Sequence, residues 1–384
     1  MAVTAISGQV TTGNILTNRI PVDMEKEIAL YEPDATPFLT ILMKLKKVKA
    51  NSFKHEWMDR QPMPYYVLAS AAGDASGAST LTITDYALLR LNDVLINERT
   101  GEVIRVTAAP STTTVTVYRG AGTTHAAILA TDKLFRAGTA SEQGSTAPAA
   151  KTVQDTAVYN YCQIFKTLAS GSNTLEAINL YGGKNRPLER KMAAIEHKKE
   201  MEVALCWGEL NSTTGADGKP LYQMKGLFSE AGFVSTNRSD AVDGFTEDDF
   251  DEYCSPAFEY GSDNKLGVGG KIALRSINSF AKDRLQVIHP SGDQSKINYG
   301  ITVAKWHHSE GNIDLVRAKL WKGDVKSRCL GLLDLKYLAL CPLRDTTMTP
   351  DVEDPKVDGW ADLWTTETTI MCRVEEAHAF IENM

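Results

Sequence analysis

Between Leu68 and Arg136 the chain changes texture, and that change limits the fold more than any other stretch of the sequence. Helical spacing gives way to a period of two. Leu81-Thr82-Ile83-Thr84, Ile104 and Val106 about Arg105, and Val115 and Val117 about Thr116 place apolar side chains on one face of short strands. Asn97-Glu98-Arg99-Thr100-Gly101 turns the chain between Val94–Ile96 and Glu102–Thr107, and Ala108–Thr112, with Pro110, turns it again. Residues 68–135 therefore read as a small all-β module set inside a longer host. Residues 51–67 and 136–150 read as the two sides of an extended excursion that carries it, the second side rich in Ser, Gly, Ala and Thr.

The host is helical and stranded in separate blocks. Met24, Ile28 and Tyr31 have the spacing of a short helix that Pro33 ends, and Thr36-Pro37 suits a new helix carrying Phe38, Ile41, Leu42 and Leu45. Residues 1–50 thus form an arm with little core of its own. The clearest helix starts at Lys184, where Pro187 fits the first turn and Gly208 offers a stop. Its apolar stripe is Leu188, Met192, Ile195, Val203 and Cys206, with Lys199 in the middle. Thr246 and Asp249 form a capping box, and Glu247 and Asp248 place negative charge at the positive end of that helix. Leu266–Ile277 reads as a strand, a Gly269-Gly270 turn and a helix. Ile301–Val303 and Ile313–Val316 read as paired strands, Leu330–Leu340 mixes both signals, and Thr368–Val374 returns to β before a turn at 375–379 and a final Phe380-Ile381. The class is α+β.

A chain of 384 residues is long enough for two or three domains, and 43% hydrophobic with 23% charged residues excludes a wholly disordered chain or a rod. No stretch approaches the roughly 20 apolar residues that span a bilayer, and Met1–Thr12 lacks a secretory signal's basic flank and dense apolar run. A soluble protein made in the cytoplasm is expected. Forty-eight acids against 41 Lys and Arg leave a formal charge of -7, which argues against a protein whose main task is gripping nucleic acid.

The sequence offers chemistry little support. It contains no phosphate-loop motif, Gly267-Val268-Gly269-Gly270 lacks dinucleotide spacing, and no G-x-S-x-G occurs. Six cysteines lie far apart without a C-x-x-C pair and read as buried, reduced thiols. His307-His308 on a strand point to opposite faces, His55-Glu56 lacks a second His, and Glu247, Asp248, Asp249, Asp251 and Glu252 contain no calcium-loop spacing. No residue is assigned a catalytic, cofactor-binding or metal-ligating role, and no cofactor is expected. Lys44, Lys46, Lys47 and Lys49, with Lys54, form the one basic run: a solvated face, a contact for an enclosed polyanion, or a contact for an acidic neighbouring subunit. An arm, an extended excursion and a guest module bury little surface in a lone monomer, so the sequence favours assembly.

The order of these parts resembles the major capsid proteins of tailed bacteriophages, the Hong Kong 97 type shell fold, in the branch with a β insertion in the extended loop. The residues that carry the resemblance are Leu30-Tyr31-Glu32-Pro33-Asp34-Ala35-Thr36-Pro37-Phe38, Glu102–Thr107, Val115–Gly120, Tyr159–Phe165 leading into the helix with Arg190–Glu202, Gly267–Gly270, and Thr369–Ile381. The resemblance implies an N-terminal arm at 1–50, an extended loop at 51–67 and 136–150, an insertion domain at 68–135, a peripheral domain with a spine helix at 151–244 and 346–384, and an axial domain at 245–345. It implies pentamers and hexamers closing an icosahedral head around double-stranded DNA, held by weak non-specific contact. A separate scaffolding protein, a portal and a decoration protein are the implied partners, with no membrane. The alternatives are a surface- or carbohydrate-binding module using Tyr86, Tyr118 and Arg119, or an encapsulin-like compartment shell. Some relatives join subunits through Lys–Asn bonds; Lys54 lies in the loop, but the sequence assigns it no partner.

Overall fold

The computed structural model describes residues 36–70, 79–147, 150–178, 183–241, 245–280, 285–287 and 304–384. The expected helix at 24–31 and the strand at 301–303 lie outside the described residues. The chain divides into two units, Trp57–Val158 and the remainder on either side of it. Helix α1 (Pro37–Lys44) starts at the predicted proline and buries Phe38, Leu39 and Leu42.

Among its described residues, the Trp57–Val158 unit is built from strands apart from a short 3-10 turn at Tyr86–Leu88. After β1 (Lys54–Asp59) come β2 (Tyr66–Leu68), β3 (Thr80–Thr82), β4 (Asp93–Asn97), β5 (Val103–Val106), β6 (Thr114–Tyr118), β7 (Lys133–Thr139) and β8 (Thr156–Tyr161). Six of them form a sheet in the order β2-β7-β4-β5-β6-β3. An Ala69–Ile83 bridge and the Ser70 N–H donated to the Thr82 carbonyl at 2.9 Å join its two ends, so the sheet closes on itself. Closure removes the exposed edges that short strands would otherwise present. Leu81, Ile83, Leu95, Ile104, Val106, Val115, Val117 and Leu134 fill the interior, as their alternation predicts.

Polar groups set the turns of this unit. Asn97 Oδ1 accepts the N–H groups of Arg99 at 2.9 Å and Thr100 at 3.2 Å, and Gly101 takes φ +69°, which an L side chain resists. The buried Glu102 carboxylate pairs with Arg119 Nε at 2.7 Å and accepts from Gly120 N–H and Ala126 N–H. The returning side of the excursion differs from the expectation at 136–150. Residues 133–139 are β7, paired with β2 and β4, because Leu134 belongs to the interior; β8 is the strand that pairs with β1.

The remainder begins with β9 (Gln163–Ser172), α2 (Asn173–Ala177), α3 (Asn185–Trp207), β10 (Asn211–Thr214), β11 (Pro220–Gln223), β12 (Arg238–Asp240) and α4 (Glu247–Phe258). It continues with β13 (Asn264–Gly269), α5 (Lys271–Phe280), β14 (Leu285–Val287), β15 (Ala304–His307), β16 (Asn312–Arg317), β17 (Leu330–Leu333), β18 (Leu338–Thr349), β19 (Gly359–Cys372) and β20 (Ala379–Glu382). Strands β18-β19-β9 form an antiparallel sheet, and α3 packs against β9 and β19. Gly208 ends α3 because it allows close approach: a Cβ there would lie 2.6 Å from the carbonyl oxygens of Ala204 and Met224.

The face that α3 buries differs from the predicted stripe. Ala193, His197, Met201, Glu202, Leu205 and Cys206 are buried, whereas Met192 and Val203 are 41% and 43% exposed. The cause is polar. His197 Nδ1 contacts Thr167 Oγ1 of β9 at 3.0 Å, and His197 Nε2 contacts Thr366 Oγ1 of β19 at 2.7 Å. Arg186 and Arg190 grip the fully buried Asp362 of β19. A stripe drawn through apolar residues alone misses a seat made by a histidine and two arginines.

A seven-stranded mixed sheet, β12-β20-β17-β13-β16-β15-β14, carries the second core. Phe250 and Cys254 from α4 and Ala273 and Ile277 from α5 pack with Trp306, Ile313, Leu315, Leu330 and Leu332. The capping box of α4 is present, with Thr246 N–H to Asp249 Oδ2 at 2.9 Å and Asp249 N–H to Thr246 Oγ1 at 3.3 Å. Phe228 lies against Gly331, where any Cβ would meet its ring at 2.2 Å, and stacks on Phe380. Strand β20, expected with the 346–384 segment, pairs antiparallel with β17, so the last strand belongs to this sheet. The ambiguous Leu330–Leu340 segment resolves into β17, a 3-10 turn at Leu335–Tyr337 and the start of β18.

Candidate assembly surfaces

The polar residues that the sequence singled out are placed as structural groups. His307 Nδ1 meets Asn312 Oδ1 at 2.6 Å. His308 stacks on Phe258 and its Nε2 lies 3.2 Å from the Asp251 carbonyl, so the two neighbours diverge. Among the described residues no group of three His, Cys, Asp or Glu side chains is arranged to hold a metal ion. All six cysteines are buried and unbridged. Burial pushes the Cys162 thiol up to about 11 and the Cys341 thiol up to about 12, away from the thiolate that nucleophilic chemistry needs.

A fully buried ion pair also holds structure together. Lys265 Nζ bonds Asp334 Oδ2 at 3.2 Å and the carbonyls of Tyr260 and Ala377. Asp334 in turn accepts the Ser262 N–H at 2.7 Å and donates its own N–H to His378 Nδ1 at 3.1 Å. Every strong donor is used, and the network ties β13 and the end of β17 to the turn before β20. Tyr86, Tyr118 and Arg119, weighed as contacts for a surface ligand, are not equivalent: Arg119 is consumed by Glu102, and Tyr118 is 55% exposed.

What the molecule leaves uncovered is extended surface. The basic run continues from α1 as an extended segment along β18, with Val48 N–H to the Leu340 carbonyl at 3.3 Å and Ala50 N–H to the Pro342 carbonyl at 3.1 Å. Lys44, Lys46, Lys47 and Lys49 are all exposed, and Lys47 reaches Asp345 at 3.7 Å. Lysines along a sheet edge also deter unwanted strand pairing. Lys54 stands apart, paired with Glu56 and set over the Tyr159 ring at 4.1 Å. The Glu56 hydrogen bond raises its pKa, the opposite of what an amine nucleophile requires.

Among the described residues, two apolar areas and one trough of mixed lining lie bare within the units. On the face of β9 away from α3, Ile164 and Leu168 are 48% and 57% exposed, and Leu168 sits directly opposite Leu363 of β19. On the outside of the closed sheet, Tyr66, Phe135 and Ile96 form a cross-strand row whose members are each more than a third exposed. Beside the β1–β8 ribbon, an open trough of about 600 Å³ is lined by Met58, Arg60, Val153, Asp155 and Ala157 among others, with Arg60 Nε bonded to Asp155 Oδ1 at 2.7 Å. Contiguous apolar surface rimmed by polar groups marks sites where another macromolecule packs. The sequence signal for the β9 face was alternation in Gln163–Ser172, read only as part of a lead-in to the helix.

Comparison with known proteins identifies the family. The SU10 major capsid protein family model matches residues 5–384. The chain is 25% identical over 289 residues to the major capsid protein of Pseudomonas phage PaMx41, covering 73% of this chain and 68% of that protein. Its fold is shared with a chain from Microbacterium phage Oxtober96, at 10% identity, 97% and 99% coverage and a TM-score of 0.52. A chain from Mycobacterium phage Bobi matches at 6% identity, 98% and 99% coverage and a TM-score of 0.51. The chain belongs to the SU10 major capsid protein family and has the Hong Kong 97 type capsid fold: it is a structural protein of the phage virion shell, not an enzyme.

Proposed function

We propose that this capsid protein assembles into pentamers and hexamers that close an icosahedral head around a double-stranded DNA genome. The observation that carries the reading is the family match over residues 5–384, and the bare faces of β9 and of the closed sheet support it. In such a shell each contact is modest and symmetry multiplies it. The Ile164–Leu168 face receives a second copy of the chain. The β1–β8 ribbon acts as the extended loop, the closed sheet it carries is the insertion domain, and the seven-stranded sheet, with β12 and β20 included, forms the axial domain. Residues 1–50 serve as the arm. A scaffolding protein, a portal and a decoration protein are the further partners. The exposed lysines at 44, 46 and 49 suit weak, salt-sensitive contact with packaged phosphate, in keeping with a chain whose net charge is -7.

The test is negative-stain microscopy of the full chain co-expressed with its genomic neighbours, beside a variant lacking residues 1–31. The full chain is expected to give closed shells, and the truncated chain a folded subunit that makes no normal shell. Normal shells from the truncated chain would remove the arm from the account.

A further inference from the structure

Helix α1 has no cap of its own. Thr36 makes no side-chain cap and the first turn holds no acid. Pro37 has no N–H to satisfy, and the Thr40 N–H returns to the Thr36 carbonyl at 3.2 Å. The orphan donors are therefore Phe38 and Leu39, which are 0% and 1% exposed. Leu39 donates to Glu202 Oε2 of α3 at 2.9 Å, across 163 residues of sequence. Glu202 is itself 1% exposed, and its Oε1 makes no hydrogen bond of normal geometry. An acid in the middle of a buried helix face has been placed where a local cap is missing.

We propose that Glu202 is a proton-operated clasp that seats α1 on the spine helix: protonated it holds the helix in place, and ionised it favours release. A buried carboxylate with one oxygen unpaired and no cation bonded to it carries an uncompensated charge. Undocking α1 lets water reach the group, so the ionised form prefers the open state. The surroundings agree with this sense. Burial raises the Glu202 pKa to about 7, against 4.5 for an ordinary Glu, although the backbone N–H groups of Leu39 and Phe38 pull it partly back.

Among the described residues no cation is hydrogen-bonded to Glu202, and the causes of its shift are burial and two backbone N–H groups. Cys206, four residues on along α3, is buried, and burial raises its thiol. Lys199, three residues back, is half-buried. Lys326 lines the same cavity of about 30 Å³ with Trp207 and Trp321, but its ammonium lies over the Trp207 ring, 4.8 Å from the centroid. The basic residue of α1 is Lys44, in the last turn at the far end of the helix.

Native-state hydrogen exchange on the full-length subunit tests this directly, read as protection factors for α1 amides relative to those of β19. A docked value near 7 and a released value near 4.5 give roughly a tenfold drop in α1 protection between pH 6 and pH 8. Glu202→Gln, which copies the protonated form, is expected to hold α1 protection about thirtyfold above the wild-type pH 6 level, and to hold it unchanged between pH 6 and pH 8. Glu202→Ala is expected to lower α1 protection at both. Wild-type protection that stays flat across that range, or a Glu202→Gln chain that keeps the full pH dependence, would overturn the proposal. Either result leaves the shell-forming role standing, because the readout is made on the unassembled subunit.

Discussion

The closed sheet of the Trp57–Val158 unit and the spine helix of the larger unit are both buried structures, but they are held in different ways. Each strand of the sheet puts an apolar residue into the interior, and its buried polar groups, Asp93 and Asn97 at the two ends of β4 and Glu102 after it, bond at the turns. The helix is seated by His197, Arg186, Arg190 and Glu202, each matched to a specific partner. A hydrophobic interior tolerates repacking and specifies shape by volume. A polar seat specifies one rotation of the helix, because a turned helix would strand its donors and acceptors in the core. That rotation leaves Met192 and Val203 facing outward.

The sharpest way to break the comparison is to remove volume from one structure and a hydrogen-bond partner from the other. Ile104→Ala opens a hole in the fully buried interior of the closed sheet and is expected to cost about 4 kcal/mol. Urea denaturation should show the loss in that unit and not in the larger one. His197→Ala strips Thr167 and Thr366 of their buried partner and leaves a void. It is expected to cost about 3 kcal/mol, with β9 and β19 losing hydrogen-exchange protection together.

Two titrations within the larger unit oppose each other. Burial lowers His378 to about 4 from an ordinary 6.5, so its stabilising contribution is whole above pH 6.5 and is lost as pH falls toward 4. Glu202, raised to about 7 from 4.5, behaves in the other sense: its contribution is whole below pH 4.5 and is lost as pH rises through 7. Each is worth about 3 kcal/mol, so between pH 4.5 and 6.5 they nearly cancel. Glu202→Gln should unmask the histidine slope, giving a chain that loses about 2 kcal/mol over those two pH units where the wild type changes little. Thermal melts at pH 4.5 and 6.5 read the difference. The smallest effect belongs to Val203→Ala, expected to move subunit stability by less than about 0.5 kcal/mol because the side chain is 43% exposed. A loss of several kcal/mol there would restore the apolar stripe as the buried face.

These contrasts also explain what the sequence disclosed. Strands of the closed sheet were legible because Ile104/Val106 and Val115/Val117 alternate cleanly and because Asn97–Gly101 is turn chemistry that acts within five residues. The capping box at Thr246 and Asp249 was legible for the same local reason. The buried face of α3 was not, since its determinants lie at Thr167, Asp362 and Thr366, up to 176 residues away. The return strand at 156–161 was missed because Leu134 and its neighbours fit either side of an excursion equally well. Glu202 entered the sequence reading only as the end of the Arg190–Glu202 helix segment. Its meaning depends on a cap that α1 lacks, a long-range relation that no spacing rule encodes. Assembly was legible from the order of the parts, while the Ile164–Leu168 face emerged only once β19 was seen beside β9.

Sedimentation velocity on the full chain and on an Ile164→Asp, Leu168→Asp double variant, each co-expressed with the genomic neighbours, tests the central claim most directly. The account predicts shell-sized particles from the wild type. It predicts a folded small species, with an unchanged circular dichroism spectrum, from the variant. Shells of normal yield from the double variant would contradict the assigned surface, and a wild-type chain that stays monomeric at every concentration would contradict the account as a whole.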